Sequence, residues 1–257
     1  MARVLLTGAM GSVGDQLLPA LEERYDVRLL DRAADGDRAA EPRTVIGELT
    51  DPDVLDRALD GVTAVVHLAG NPDPDAAWHE LREPNVEGFV KLLAAAQRHG
   101  VRRVVFASSV HAMGAHEGSR RWPVDPAWPP APCCAYGATK AFDEALARAY
   151  AYRTPMSLVG LRMGYCSPDA TPEQKVAGWL GTPDLRQIFL RALVADVRFG
   201  VYGAVSWPSH ARWDIGTAMR ELGYEPERSE DAGEPDVDAA PLCTCTPEGW
   251  SPGGGSS

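Results

Sequence analysis

A glycine-rich turn placed directly after the first apolar run restricts the fold more than any other feature of this chain. Residues 3–7 read as a buried strand. Thr7-Gly8-Ala9-Met10-Gly11-Ser12-Val13-Gly14 follows as G-x-x-G-x-x-G and runs into a helical pattern over residues 13–24. Glycines so spaced permit a tight strand-to-helix turn and a close approach of backbone to a pyrophosphate at the positive end of the helix. A second strand over residues 26–30 ends at Asp31, 17 residues beyond Gly14. That is near the spacing at which a carboxylate meets an adenosine ribose in dinucleotide folds. An ordinary strand–helix turn requires neither the glycines nor the acid.

The alternation continues. Short β-type runs at residues 44–47, 62–68, 101–107 and 156–161 are interleaved with helical patterns at 51–59, 78–99 and 136–153. Such a βαβ order predicts an α/β protein with a doubly wound parallel sheet. Residues 111–134, rich in Pro, Gly and Trp, read as a long loop of the kind that carries function inside a compact domain. After residue 163 the periodicity weakens, with helical patterns at 184–194 and 213–222. The expected organisation is a dinucleotide-binding Rossmann-type domain at residues 1–162, a small C-terminal helical substrate lobe at 163–225, and a tail at 226–257. That tail is acidic and rich in Pro, Gly and Ser, so it is expected to be disordered.

Charge and cysteine content exclude several classes of partner. A formal net charge of −11 with no extended basic cluster gives nothing to bind nucleic acid. No apolar run is long enough for a bilayer, and the N-terminal residues lack a signal-peptide pattern. Five cysteines without framework spacing suit a reducing compartment, so a cytoplasmic protein is expected. Cys133-Cys134 and Cys243-x-Cys245 have no His or further Cys at the usual metal spacing, and no metal site is expected.

The chemistry is carried by Tyr136-Gly-Ala-Thr-Lys140. On a helix, residues four apart share a face, and an ammonium held beside a phenol favours the phenolate that a general base for alcohol oxidation requires. With seven Tyr and only three Lys in the chain, chance seldom produces the pair. The fifth strand ends Phe106-Ala107-Ser108-Ser109-Val110-His111, and a serine at that edge can hold a substrate oxygen. For the cofactor, Gly8, Gly11, Ser12, Val13 and Gly14 supply the turn, and Asp31 the ribose contact. Glu48 and Leu49 flank the adenine, and Leu68, Ala69 and Gly70 run along the carboxyl edge of the sheet. Asp31 favours NAD because its carboxylate repels a 2′-phosphate, while Arg32 beside it leaves NADP as the lesser alternative.

Together the glycine turn, Ser108-Ser109, Tyr136-x-x-x-Lys140 and Asn85-Val86-x-Gly88 resemble the short-chain dehydrogenase/reductase superfamily, in its extended epimerase/dehydratase-like branch. Within it, Phe106-Ala-Ser-Ser-x-His111, Tyr136-Gly-x-x-Lys140, Arg162-Met-Gly-x-Cys166-Ser-Pro168 and Leu222-Gly-Tyr-x-Pro226 are similar to bacterial uronate dehydrogenases. The resemblance covers roughly residues 3–226. It implies NAD-dependent oxidation of the anomeric hydroxyl of a hexuronic acid, in a homodimer formed through the helices at 78–99 and 136–153. By the same resemblance Tyr136 is the base, Lys140 orients the nicotinamide ribose and tunes Tyr136, and Ser109 holds the reacting oxygen. Asn85 belongs to the cofactor site, and Asn71, His111, Tyr165 and Lys175 belong with Ser109 to the substrate site.

Three positions depart from that pattern. Val110 stands where the family has Asn, Tyr165 where it has Ser, and Gln174, one residue before Lys175, where it has the Arg that grips the substrate carboxylate. Lys175 offers charge without the planar bidentate fork of Arg. The substrate is therefore expected to be a small polyol, aldose or uronic acid. An epimerase or dehydratase that retains its NAD uses the same residues, and a non-catalytic dinucleotide-binding protein is the third reading.

Overall fold

The computed structural model describes residues 1–33 and 36–227. In chain order the strands are β1 (Arg3–Thr7), β2 (Asp26–Asp31), β3 (Thr44–Ile46), β4 (Ala64–His67), β5 (Arg103–Ser109), β6 (Ser157–Met163), β7 (Tyr165–Cys166), β8 (Trp179–Leu180) and β9 (Phe199–Ala204). The helices are α1 (Ser12–Glu22), α2 (Gly36–Ala39), α3 (Pro52–Leu59), α4 (Trp78–Leu81), α5 (Gly88–Arg98), α6 (Gly114–Gly118), α7 (Ala135–Arg153), α8 (Pro172–Gly178), α9 (Thr182–Val194) and α10 (Gly216–Leu222).

Seven strands form one sheet in the order β3-β2-β1-β4-β5-β6-β9, and every pairing is parallel. A parallel sheet buried on both faces sends alternate side chains to opposite layers. Val4 and Leu6 of β1 enter one core with Leu17 of α1 and Ile188 of α9, while Leu5 between them enters the other with Leu92 of α5 and Ala147 of α7. Strand order reverses between β1 and β4, the crevice where open α/β sheets place ligands.

The structure departs from the sequence reading at three places. The helix expected over residues 78–99 is interrupted by a π-helical segment, Arg82–Glu87, between α4 and α5. Pro84 lies inside it; proline removes a backbone donor and crowds the preceding turn, and a π-bulge absorbs such a break. The loop expected over residues 111–134 contains a 3-10 turn, Val110–Met113, and α6. It is pinned to the C-terminal part of the chain by a bridge from Val124 to Trp213 and by a buried ion pair of Arg212 with Glu117 at 2.8 Å. Finally, the segment after Met163 is not only helical: it returns β9 to the edge of the main sheet and forms the small β7–β8 pair. Of the expected tail, residues from 228 onward lie outside the described residues.

At the switch point Gly8 adopts a φ of +69°, and a Cβ there would lie 2.7 Å from Ala69 N and 2.8 Å from Leu68 C. Backbone cannot yield as a flexible side chain can. Gly8→Ala is therefore expected to lower unfolding stability by at least about 2 kcal/mol, from left-handed strain and overlap together. Urea denaturation checks this, and a loss within about 0.5 kcal/mol, as for an ordinary surface change, contradicts it.

Candidate active site

The glycine turn opens onto an uncapped helix end. Gly11, the N-cap of α1, has no side chain to satisfy the first amides, which leaves those donors without a side-chain cap at the positive end of the helix. Gly14 is buried, and a Cβ there would lie 2.6 Å from Gly8 O and 2.7 Å from Ala9 O, so glycine sets the close helix–strand packing. At the tip of β2 the Asp31 carboxylate accepts N–H from Met10 at 2.9 Å and from Arg32 at 2.8 Å. It is thus fixed beside the turn with lone pairs left for ribose hydroxyls. Arg38, which touches Met10, is paired with Asp15. This donor set of open amides and a facing carboxylate fits a dinucleotide without a 2′-phosphate.

Of the other expected cofactor residues, Glu48 is exposed, Leu68 and Ala69 are half-buried, and Gly70 is exposed beyond the end of β4. Leu49 and Asn85 are enclosed. Leu49 packs against Gly88, where a Cβ would lie 3.2 Å from its own. Asn85 accepts Asn71 N–H at 2.7 Å, donates to Asn71 O at 3.0 Å, and donates to Thr139 Oγ1 at 3.2 Å. Its amide is spent, so it shapes the loop after β4 and ties that loop to α7. The π-helical segment is what turns Asn85 inward.

Tyr136 and Lys140 occupy the first turns of α7, both nearly buried, with Lys140 Nζ 5.8 Å from the Tyr136 ring centroid. A Cβ on Gly70 would lie 3.0 Å from Asn85 Oδ1 and 4.0 Å from Lys140 Nζ, so the edge of β4, Asn85 and Lys140 converge on one space. Ser109, at the end of β5, accepts His111 N–H at 3.2 Å, which orients its oxygen and leaves its own proton to donate. The His111 ring meets the Tyr136 ring edge-on at 5.7 Å. The structure thus brings Ser109, His111, Tyr136 and Lys140 together around the carboxyl ends of β4 and β5.

Several groups that hold this arrangement were given no site role by the sequence, although Ser108 and Arg162 belong to its motifs. Ser108 and Arg162 are register partners on β5 and β6, and Glu144 descends from α7 between them. Glu144 Oε1 accepts from Ser108 Oγ at 2.6 Å and Arg162 Nε at 2.9 Å, and Oε2 accepts from Arg162 at 2.8 Å. A third Arg162 nitrogen donates to Pro126 O at 3.0 Å. Asp143 stands 3.7 Å from Lys140 Nζ. Burial pushes its carboxyl up to about 7, with Lys140 pulling down and Glu144 pushing up. His67 is sealed in, with Nδ1 2.7 Å from Thr7 Oγ1 and its ring stacked on Phe89. Burial, reinforced by Lys140, holds its imidazole down at about 3, so it stays neutral.

The substrate side is less enclosed. Tyr165 on β7 is 51% exposed. Lys175 is half-buried, its ammonium 5.3 Å from the centre of the Trp179 ring. Gln174 forms the capping box of α8, its Oε1 accepting Thr171 N–H at 2.9 Å and its own N–H donating to Thr171 Oγ1 at 3.3 Å. His111, Cys133 and Cys134 bring one nitrogen and two sulfurs within 4.8 Å of one another. The contacts come from different segments, so spacing along the chain did not reveal them.

Residues 4–178 match the family described as NAD dependent epimerase/dehydratase. The chain is 34% identical over 243 residues to the NAD-dependent glucose-6-phosphate dehydrogenase of Haloferax volcanii, spanning 87% of this chain and 92% of that protein. It is 32% identical over 243 residues to the uronate dehydrogenase of Pseudomonas syringae, spanning 93% and 87%. A mutant uronate dehydrogenase of Agrobacterium tumefaciens complexed with NAD superimposes with a TM-score of 0.79 at 27% identity, covering 89% of this chain and 85% of that one. The chain belongs to the NAD dependent epimerase/dehydratase family.

Glu144→Gln leaves Arg162 buried without a full counter-charge and is expected to cost about 3–5 kcal/mol. Removing both charges, in Glu144→Gln/Arg162→Met, is expected to recover most of that loss in the same denaturation assay. Equal losses in the single and double variants contradict the pairing. For Asp143 the sign follows from a folded pKa raised above the ordinary value of about 3.9. Its contribution to stability is full below about pH 4 and is lost as pH rises through about 7. The denaturation midpoint of Asp143→Asn relative to wild type is therefore expected to rise between about pH 4 and about pH 7 and to level off above that; a constant difference contradicts titration of Asp143.

Proposed function

We propose that this protein is an NAD-dependent dehydrogenase that oxidises a sugar or sugar-acid hydroxyl to the carbonyl level and releases NADH. The observation that carries the reading is the gathering of Ser109, Tyr136 and Lys140 at the carboxyl ends of β4 and β5, beside the β1–β4 crevice. His111 donates its N–H to Ser109 and meets the Tyr136 ring, and Lys140 Nζ lies 5.8 Å from that ring and 3.7 Å from Asp143. The names of the two relatives describe net dehydrogenases of sugars or sugar acids, which favours this reading over a cofactor-retaining epimerase.

The open amides of α1 would hold the pyrophosphate, Asp31 the adenosine ribose, and Lys140 the nicotinamide ribose. NAD, when bound, supplies the hydride acceptor. Tyr136 accepts the hydroxyl proton as the carbon–hydrogen bond breaks, and Ser109 donates a hydrogen bond to the same oxygen as its character changes to a carbonyl. Lys140 stabilises negative charge on the phenol oxygen through its ammonium. His111 lines the sugar site beside Tyr136, and Asn71, held by Asn85, borders it at the end of β4.

Glucose 6-phosphate and uronates share an anionic group remote from the anomeric carbon. In this chain Gln174 is committed to capping α8, so the cation on that side is Lys175, steadied on Trp179. A point charge tolerates differently shaped anions where a bidentate guanidinium selects a carboxylate. Dimerisation through α5 and α7 belongs to the same reading, with Val90 and Phe142 exposed on those helices. No described helix is long and apolar enough to cross a membrane, and a cytoplasmic setting is part of the proposal.

Purified protein mixed with NAD and a panel of uronates, sugar phosphates and neutral aldoses is expected to produce NADH absorbance. Tyr136→Phe should lower kcat by about 100-fold or more while leaving the Kd for NAD within a few-fold. Bound NAD with no turnover on any of these compounds would favour a non-catalytic protein instead.

A further inference from the structure

We propose that His111, Cys133 and Cys134 form a binding site for a soft divalent cation of the zinc class on the flank of the candidate active site. His111 Nδ1 lies 3.4 Å from Cys133 Sγ and 3.7 Å from Cys134 Sγ. A tetrahedral ion about 2.0–2.1 Å from nitrogen and about 2.3 Å from sulfur sets N···S separations of roughly 3.5–3.6 Å. The observed pair of distances brackets that value. Two sulfurs and an imidazole select a zinc-class ion over magnesium or calcium, which take oxygen ligands.

The three ligands are held by backbone and by the absence of side chains. Cys134 is the N-cap of α7, and its sulfur accepts Gly137 N–H at 3.4 Å, at the helix end that favours negative charge. Cys133 N–H donates to His111 O at 3.3 Å, which joins the two ligand-bearing segments. A Cβ on Gly114 would overlap Cys133 Sγ, and one on Gly137 would overlap His111 O, so both glycines are needed for this approach. All three ligands are half-buried, so each keeps some contact with solvent, and water would complete the tetrahedral set. Binding would release the thiol protons to solvent. An ion there would fix the His111 ring beside Tyr136.

The alternative is a purely hydrogen-bonded trio, with Cys133 Sγ 3.8 Å from His111 O as well as 3.4 Å from Nδ1. The proposal stands apart from the dehydrogenase reading because its readout is metal binding. Full-length protein in a non-thiol reductant is titrated with Co²⁺ while the sulfur-to-metal charge-transfer band is followed, and then with Zn²⁺ as competitor. One equivalent is expected to raise the band and Zn²⁺ to abolish it. Cys133→Ser and Cys134→Ser should each weaken binding at least about tenfold, and circular dichroism confirms that each variant is folded. Cys243→Ser/Cys245→Ser should retain the band. No band in the wild type, a band that survives Cys133→Ser/Cys134→Ser, or one lost with the Cys243/Cys245 pair alone overturns the assignment.

Discussion

The buried contact of Glu144 with Arg162 and Ser108 fixes the candidate site, because it sets where α7 lies on the sheet. Charged groups lose hydration on burial, and a buried pair is tolerated only when nearly every donor and acceptor is used. Here three Arg162 nitrogens and both Glu144 oxygens have partners. Such a pair contributes little net stability relative to a well-packed apolar replacement, yet it discriminates strongly against any sliding of α7. Ser108 precedes Ser109, and Glu144 follows Lys140 by one helical turn. The same contact therefore locates the serine on β5 relative to the tyrosine and lysine on α7.

A second polar layer adjusts what the first positions. Lys140 is nearly buried with Asp143 as its carboxylate neighbour, while His67 nearby is kept neutral by burial. Positive charge in this part of the crevice is thereby concentrated on Lys140. Asn85 uses its whole amide to hold Asn71 and Thr139, so the loop after β4 is tied to the start of α7. Asp143, His67 and Thr139 thus help shape the crevice from behind the groups that line it.

Much of this was legible in the sequence because the signals were local. The glycine turn, the acid ending β2 and the four-residue Tyr136–Lys140 spacing each follow from backbone geometry over one or two turns. Where long-range packing decides, the reading weakened. Phe199–Ala204 alternates strand-favouring Phe, Val and Tyr with two glycines that weaken the signal, and it becomes a strand by pairing along the edge of β6. Pro84 is visible as a helix breaker, but the π-helical solution that buries Asn85 is not. Glu144 looks like a surface residue of a weakly amphipathic helix until Arg162 is placed beneath it. Gln174 reads as a missing clamp, and the structure shows the capping duty it has taken up.

The fate of the hydride separates net oxidation from every cofactor-retaining alternative. Protein incubated with NAD and an accepted aldose or uronate deuterated at the anomeric carbon provides it, with both products examined by NMR. Deuterium at C4 of the nicotinamide in NADH released to solution is the expected result. Deuterium retained in the sugar, with configuration changed at another carbon and no free NADH, would contradict a dehydrogenase centred on Tyr136.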